Sequence, residues 1–318
     1  MAGEFALIDR LRARVVQRGD VVLGIGDDAA LLAPEPGAQL VVAMDTLNSG
    51  VHFPDDTAAA DIGWKALAVN LSDLAAMGAR PAWCTLSLSL PTPDADWIDA
   101  FLDGFDALAR PHAVALVGGD TTRGPLSVCV TVHGLVAPGH ALRRDGAQVG
   151  DDVWVSGTLG DAAAALAQWT QGGARDAELR RRLDRPAPRL ALGQALAAHA
   201  HAAIDVSDGL LADLGHVCRA SGVAAQIDVD ALPASEALRR AIADPGQRRA
   251  LQAAGGDDYE LCFTAPAHAR AAVDAVSRAS GTPAIRIGRI VAGDGVVVHT
   301  GDGAAWTPAR AGWDHFAG

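Results

Sequence analysis

Apolar positions along this chain recur in two rhythms, one close to 3.6 residues and one of short runs at strand length. Between residues 57 and 77 they fall at Trp64, Leu67, Ala68, Leu71 and Ala75, which is one face of a helix. A capping residue at Asp56 or Thr57 opens that helix, and Gly78, with Pro81 just beyond, closes it. Asn70, Asp73 and Met77 occupy a separate stripe, so one carboxylate leaves a mostly apolar helix near its C-terminal end. That end already carries partial negative charge, so Asp73 is either solvated or beside a cation.

Strand-length runs surround this helix. Residues 21–32 hold two of them around a Gly24-Ile25-Gly26-Asp27-Asp28 turn, and a further strand at 40–44 ends in Asp45-Thr46. After the helix, strands are predicted at 83–90, 114–117 and 126–136, with a helix over 94–110 and a Gly118-Gly119-Asp120-Thr121-Thr122-Arg123-Gly124 loop. Four or so strands and two helices make one α/β layer pair. Residues 137–152 are rich in Pro, Gly, Arg and Asp and read as a junction, dividing the chain into domains 1–137 and 138–318. The second half predicts strands at 153–156, 203–206, 225–229, 261–264, 284–290 and 295–299. Helices alternate with them: 161 to about 199 with a break at Arg185-Pro186-Ala187-Pro188-Arg189, one after Ser207-Asp208-Gly209, two short ones, and 267–280. The fold class is mixed α/β (α+β) in two domains.

Composition narrows the function. Half of the 318 residues are hydrophobic and 20% charged, as in a well-packed globular protein. No apolar run reaches membrane-spanning length and the N-terminus lacks an export pattern, so a cytoplasmic protein is expected, with no membrane partner. A net charge of -12 and few aromatics argue against nucleic acid. Cys84, Cys129, Cys218 and Cys262 lie far apart in apolar segments and read as buried small hydrophobes. The acids are mostly Asp, which suits hard divalent cations. Lys65, the only lysine, sits mid-helix without a preceding GxxxxGK, which excludes a P-loop.

Asp27-Asp28, Asp45, Asp73, Asp120, Asp205 with Asp208, and Asp257-Asp258 mostly stand where a strand ends or a Gly turn begins. Taken singly, each has a structural reading as a turn residue, and Ser207 or Asp208 as a helix cap. Jointly they would gather carboxylates at one sheet edge. Two like charges about 4 Å apart cost roughly 4 kcal/mol at an effective dielectric near 20, so such a cluster calls for divalent cations. Mg²⁺ prefers carboxylates together with waters and phosphate oxygens, and neighbouring glycines free backbone N–H groups for phosphate. Phosphoryl transfer is the chemistry that uses both. The histidines are scattered, without a Ser–His–Asp or Cys–His pattern.

Five motifs in order complete the picture: Gly24-Ile25-Gly26-Asp27-Asp28-Ala29-Ala30, Asn70-Leu71-Ser72-Asp73-Leu74, Gly118-Gly119-Asp120-Thr121-Thr122-Arg123-Gly124, Asp205-Val206-Ser207-Asp208-Gly209-Leu210 and Gly312-Trp313-Asp314-His315-Phe316. From Gly3-Glu4-Phe5 to the C-terminus the chain resembles the thiamine-monophosphate kinase family, within the wider superfamily of aminoimidazole ribonucleotide synthetase-like enzymes. The resemblance implies ATP-dependent phosphorylation of thiamine phosphate to thiamine diphosphate, with several Mg²⁺ ions and a monovalent cation as a further candidate. It also implies a homodimer made by pairing N-terminal mixed sheets that carry helices on one face, and a cleft completed by the second domain. By motif, Asp28, Asp45, Asp73, Asp120, Asp205 and Asp208 correspond to metal ligands, with Asp73, Asp120 and Asp208 in catalytic positions. Gly119, Asp120, Arg144 and Ser207 correspond to ATP contacts, and His52, Asp257 and Trp313 to thiamine phosphate contacts. Two departures stand out: Ala43-Met44 replace a frequent Ser-Thr pair, and Asp257 replaces a frequent Glu. A selenophosphate synthetase would need a reactive Cys in an N-terminal Gly-rich segment, and a hydrogenase-maturation relative a terminal Cys; neither is in this sequence. A purine-pathway synthetase fits the fold but not the Gly312–Phe316 motif, and a non-catalytic nucleotide or metal sensor would have no need of every acidic motif.

Overall fold

A computed structural model describes residues 4–172, 175–310, 312 and 313. Its backbone divides into two compact units, the chain leaving the first after Gly139, with Ala75–Gly78 grouped with the second. The first unit runs α1 (Glu4–Arg14), β1 (Val21–Leu23), β2 (Leu31–Leu32), β3 (Gln39–Asn48), α2 (Ala59–Ala76), β4 (Arg80–Leu90), α3 (Ala95–Ala109), β5 (Ala115–Arg123) and β6 (Ser127–Val136). β1 and β2 form a small hairpin, and the longer strands form a mixed sheet in the order β3-β6-β4-β5, parallel only between β4 and β5.

Burial alternates along β6. Val128, Val130 and Val132 are buried, while Ser127, Cys129, Thr131 and His133 are half-exposed, so one sheet face is covered and the other open. Helix α2 lies on the covered face, where Leu74 packs over Gly134. α3 approaches α2 through two glycines. A Cβ on Gly63 would stand 2.0 Å from the Phe101 carbonyl oxygen, and one on Gly104 1.7 Å from that of Ala60. Asp94 caps α3 by accepting the N–H groups of Asp96 and Trp97.

The second unit runs β7 (Asp151–Ser156), α4 (Asp161–Gln171), α5 (Ala177–Asp184), α6 (Leu190–Leu196), β8 (Ala202–Asp205), α7 (Leu210–Ser221), β9 (Ala224–Asp228), α8 (Glu236–Ala241), α9 (Pro245–Ala254), β10 (Leu261–Pro266), α10 (Arg270–Ser280), β11 (Ala284–Val291) and β12 (Gly295–His299). Its six-stranded sheet has the order β12-β9-β11-β7-β10-β8, antiparallel except for β12 beside β9. Val153, Val155, Ile204, Leu210, Leu214, Val217, Ile227 and Ile287 build its main core. Among the described residues no helix is long and apolar enough to cross a membrane.

The mixed α/β expectation holds, with several local differences; β3, for one, runs on through Asp45 to Asn48 where the sequence suggests an end at Asp45-Thr46. α2 begins at Ala59, slightly later than the Asp56-Thr57 signal. α1 arises from a stretch not read as an element. β5 does not stop before Gly118: residues from Gly118 to Arg123 pair with Thr85 to Leu90, and that ladder outweighs the turn chemistry of the Gly-Gly-Asp motif.

Candidate active site

In the first unit the site residues are laid out by sheet register. Asp45, Val130, Leu86 and Gly119 form one row across the sheet, and Thr46, Cys129, Ser87 and Asp120 the next. Asp45 and Asp120 therefore stand on opposite edge strands, roughly 14 Å apart at three strand spacings. Gly119 has φ +151°, and a Cβ there would lie 1.8 Å from the Leu86 carbonyl oxygen, so the backbone at this point admits only glycine. Beyond it Asp120 is exposed on the sheet edge, as is Asp28 beyond the β1 hairpin strand.

Asn70 links helix to sheet. Its Oδ1 accepts the backbone N–H of Asp45 at 2.9 Å, and its Nδ2 donates to the Ala66 carbonyl at 3.0 Å. Asp73 follows three residues on, roughly 4.5 Å along the helix axis, and is half-buried where its neighbours Ser72 and Leu74 are fully buried. The buried Asn70 thus ties the backbone of Asp45 to the helix that carries Asp73. His52 sits in the segment after β3, where its Nδ1 accepts the Asn48 N–H at 3.0 Å. Its carbonyl accepts from the ammonium of Lys65 at 2.8 Å, and Lys65 is only 1% exposed.

The second unit gathers Asp205, Ser207, Asp208, Asp257 and Trp313. Asp205 ends β8 and is buried; Ser207 and Asp208 are half-buried in the turn that enters α7. Asp213, in the first turn of α7, accepts the N–H groups of Ser207, Asp208 and Gly209 with one oxygen at 3.1, 3.2 and 3.2 Å. Burial, followed by the charges of Asp205 and Asp208, raises the Asp213 pKa to about 7, against the pull of those N–H groups. The Ser207 carbonyl accepts the Asp257 N–H, the Val206 carbonyl the Tyr259 N–H and the Asp208 carbonyl the Trp313 N–H, each at 2.8 Å. Asp257 and Tyr259 have φ of +67° and +50°, uncommon values for non-glycine residues, and the Tyr259 hydroxyl donates to Asp257 Oδ1 at 3.0 Å. Arg144 is exposed in a short 3-10 turn whose backbone is held by Ser221, which donates to the Arg144 carbonyl at 2.9 Å.

A buried ionic cluster supports the same loop. Glu260 is fully buried; its carboxylate accepts from Arg182 at 2.8 Å, from Arg189 Nε at 2.6 Å and from the Ser156 hydroxyl at 2.6 Å. Burial pushes its pKa up, but Arg189 and Arg182 together outweigh that and hold it below the ordinary value. Asp258 beside it is pushed well up by burial, although it accepts the Gly160 N–H.

The donor set fits a hard cation. The candidate ligands are all carboxylates, the mutual charge of Asp205, Asp208 and Asp213 is large enough to move a pKa, and the thiols of Cys84 and Cys262 are pushed far up by burial. Among the described residues no three His, Cys, Asp or Glu side chains form a ready-made metal cage.

Family models for the N-terminal and C-terminal domains of AIR synthase related proteins match residues 26–136 and 148–301. The thiamine-monophosphate kinase of Salmonella typhimurium is 48% identical, covering 99% of this chain and 98% of its own. The chain belongs to the thiamine-monophosphate kinase family. A crystal structure of the family's Stenotrophomonas maltophilia member is 61% identical with a TM-score of 0.88, covering 96% of this chain and 98% of its own. A further thiamine-monophosphate kinase structure, AaThiL complexed with AMPPCP and TMP, is 32% identical with a TM-score of 0.77, covering 99% and 97%.

Sequence reasoning passes over Asn70, Lys65, Asp213 and Tyr259 as site-shaping residues. Asn70 on the Asp73 stripe and the solitary lysine on a largely apolar helix are signals that could have found two of them. Asp314, His315 and Phe316 of the closing motif, and Gly3, lie outside the described residues.

Proposed function

We propose that this chain transfers the γ-phosphoryl group of ATP to thiamine phosphate, giving thiamine diphosphate and ADP. The observation that carries this reading is near-full-length similarity to thiamine-monophosphate kinases, one of them solved with AMPPCP and TMP. Every motif aspartate is present alongside it.

The acceptor oxygen belongs to a phosphate that is already ionised near neutral pH, so transfer needs no general base. That agrees with a site built of carboxylates, backbone N–H groups and one histidine. The chain's task is to hold two anions in line. Asp28, Asp45, Asp73, Asp120, Asp205 and Asp208 would hold Mg²⁺, with Asp73, Asp120 and Asp208 nearest the chemistry. When bound, the metal ions neutralise the repulsion between the two phosphate groups. Because Asp45 and Asp120 stand on opposite edge strands, more than one ion is called for. Gly119, Asp120, Arg144 and Ser207 would hold the nucleotide. His52 and Asp257 would meet thiamine phosphate, and the half-exposed Trp313 ring would lie against its cationic thiazolium. At Ala43-Met44 only a backbone carbonyl can serve as a donor to metal.

In this reading residues 1–137 form the ATP, Mg²⁺ and dimerisation domain, and residues 138–318 supply the rest of the site. A homodimer through the open face of the first sheet is supported by Leu40, Val42 and Met44, exposed side by side on β3. We place the protein in the cytoplasm. Incubating it with ATP, Mg²⁺ and thiamine phosphate and separating the thiamine esters by chromatography tests the proposal. Thiamine diphosphate is expected; ATP binding without that product would overturn it.

A further inference from the structure

The segment from Val206 to Gly209 is held from two sides. On one side its N–H groups converge: those of Ser207, Asp208 and Gly209 all donate to a single carboxylate oxygen of Asp213, which is 3% exposed. On the other side its carbonyls diverge. Val206 accepts from Tyr259, Ser207 from Asp257, and Asp208 from Trp313. The peptide units that Asp213 orients therefore carry the candidate nucleotide residue Ser207 and the candidate metal residue Asp208 as side chains. They also carry the candidate thiamine phosphate residues Asp257 and Trp313 as hydrogen-bonded neighbours.

We propose that Asp213 is a positioning residue for both substrates, fixing through one oxygen the turn from which the ATP-side and thiamine-side residues are hung. This rests on the proposed function. The alternative is that Asp213 merely complements the N-terminal end of α7, as an acid in a first helical turn commonly does. That role would change stability and leave the kinetics of folded enzyme alone. Positioning makes a different demand, because the acceptor oxygen is what orients the turn. An asparagine can keep that oxygen, whereas an alanine cannot.

The test is steady-state kinetics of Asp213→Ala and Asp213→Asn with ATP and thiamine phosphate each varied, beside circular-dichroism melting curves. Asp213→Ala is expected to raise KM for both substrates at least tenfold, and Asp213→Asn to keep both within about threefold of the wild type. A folded Asp213→Ala enzyme with both KM values and kcat within threefold of the wild type would overturn the proposal, as would an Asp213→Asn enzyme as impaired as Asp213→Ala. Should Asp213→Ala fail to fold, amide hydrogen exchange on the unaltered protein decides. Amides of Ser207, Asp208 and Gly209 as protected as those inside α7 support the clamp, and loop-like exchange there overturns it. A wild type that forms no thiamine diphosphate sinks the functional proposal, while the exchange measurement still judges the clamp by itself.

Discussion

Replacing Gly119 by alanine tests the site at its most constrained point. The new Cβ would stand 1.8 Å from the Leu86 carbonyl oxygen and 2.7 Å from its carbon, against a floor of 3.0 Å that real Cβ atoms respect. Both obstacles are backbone, so no side chain can swing aside. Relief requires β4 and β5 to part where Leu86 pairs with Gly119. Forcing a carbon into packed surroundings costs about 1–3 kcal/mol, and the backbone at φ +151° adds about 1–3 kcal/mol for a residue with a side chain. Together roughly 2–6 kcal/mol is expected, a large part of the ~5–15 kcal/mol that holds a typical domain together. Gly118 is the internal control: a Cβ there meets nothing within 4 Å, so Gly118→Ala should change stability by less than about 1 kcal/mol. Urea unfolding of the two variants, with KM for ATP measured on each, makes the comparison. Gly119→Ala should unfold at clearly lower urea and lose nucleotide affinity, with Gly118→Ala near the wild type. Equal midpoints and equal KM values would refute the steric reasoning.

Further outcomes are expected elsewhere. Asp73→Asn should lower kcat at least a hundredfold with an unchanged circular-dichroism spectrum; near-normal turnover at low Mg²⁺ would count against a metal-holding Asp73. Glu260→Gln should destabilise the fold by about 3–5 kcal/mol at neutral pH, since it leaves Arg182 and Arg189 around an uncharged partner. The Glu260 pKa lies below its unfolded value, so its contribution is fully present above that unfolded value and is lost as pH falls through the folded one. The gap in unfolding free energy between wild type and Glu260→Gln should therefore be flat near pH 7 and shrink below about pH 4, and a gap that widens on acidification would reverse the sign. If the proposed homodimer forms through the open face of the first sheet, the wild type is expected to sediment as a dimer in analytical ultracentrifugation. Val42→Glu, which puts a charge among the exposed apolar residues of β3, is expected to sediment as a monomer.

What is legible in this sequence follows the strength of its local signals. The helix through Trp64 and Leu71 is plain because five apolar positions keep one period and glycine ends it. Asp120 beside Gly119 and Asp208 beside Gly209 stand out as candidates because acids next to glycine recur along the chain, although Asp120 lies inside β5 and not at a strand end. The continuation of β5 through Gly118 to Arg123 is not legible, since glycine, aspartate, threonine and arginine show no apolar alternation and only pairing with β4 makes them a strand. Asp213 is hidden for a related reason: an acid in a first helical turn looks ordinary until its three N–H donors are seen. Lys65 stands out as a residue type, yet that it is buried against the His52 carbonyl depends on tertiary packing.

The solitary lysine has a practical consequence. With its ε-amine enclosed and donating to the His52 carbonyl, the folded chain presents no lysine to acylating dyes, formaldehyde or succinimidyl cross-linkers. Any acquired ε-amine reactivity would serve as a direct signal that α2 has pulled away from the segment carrying His52.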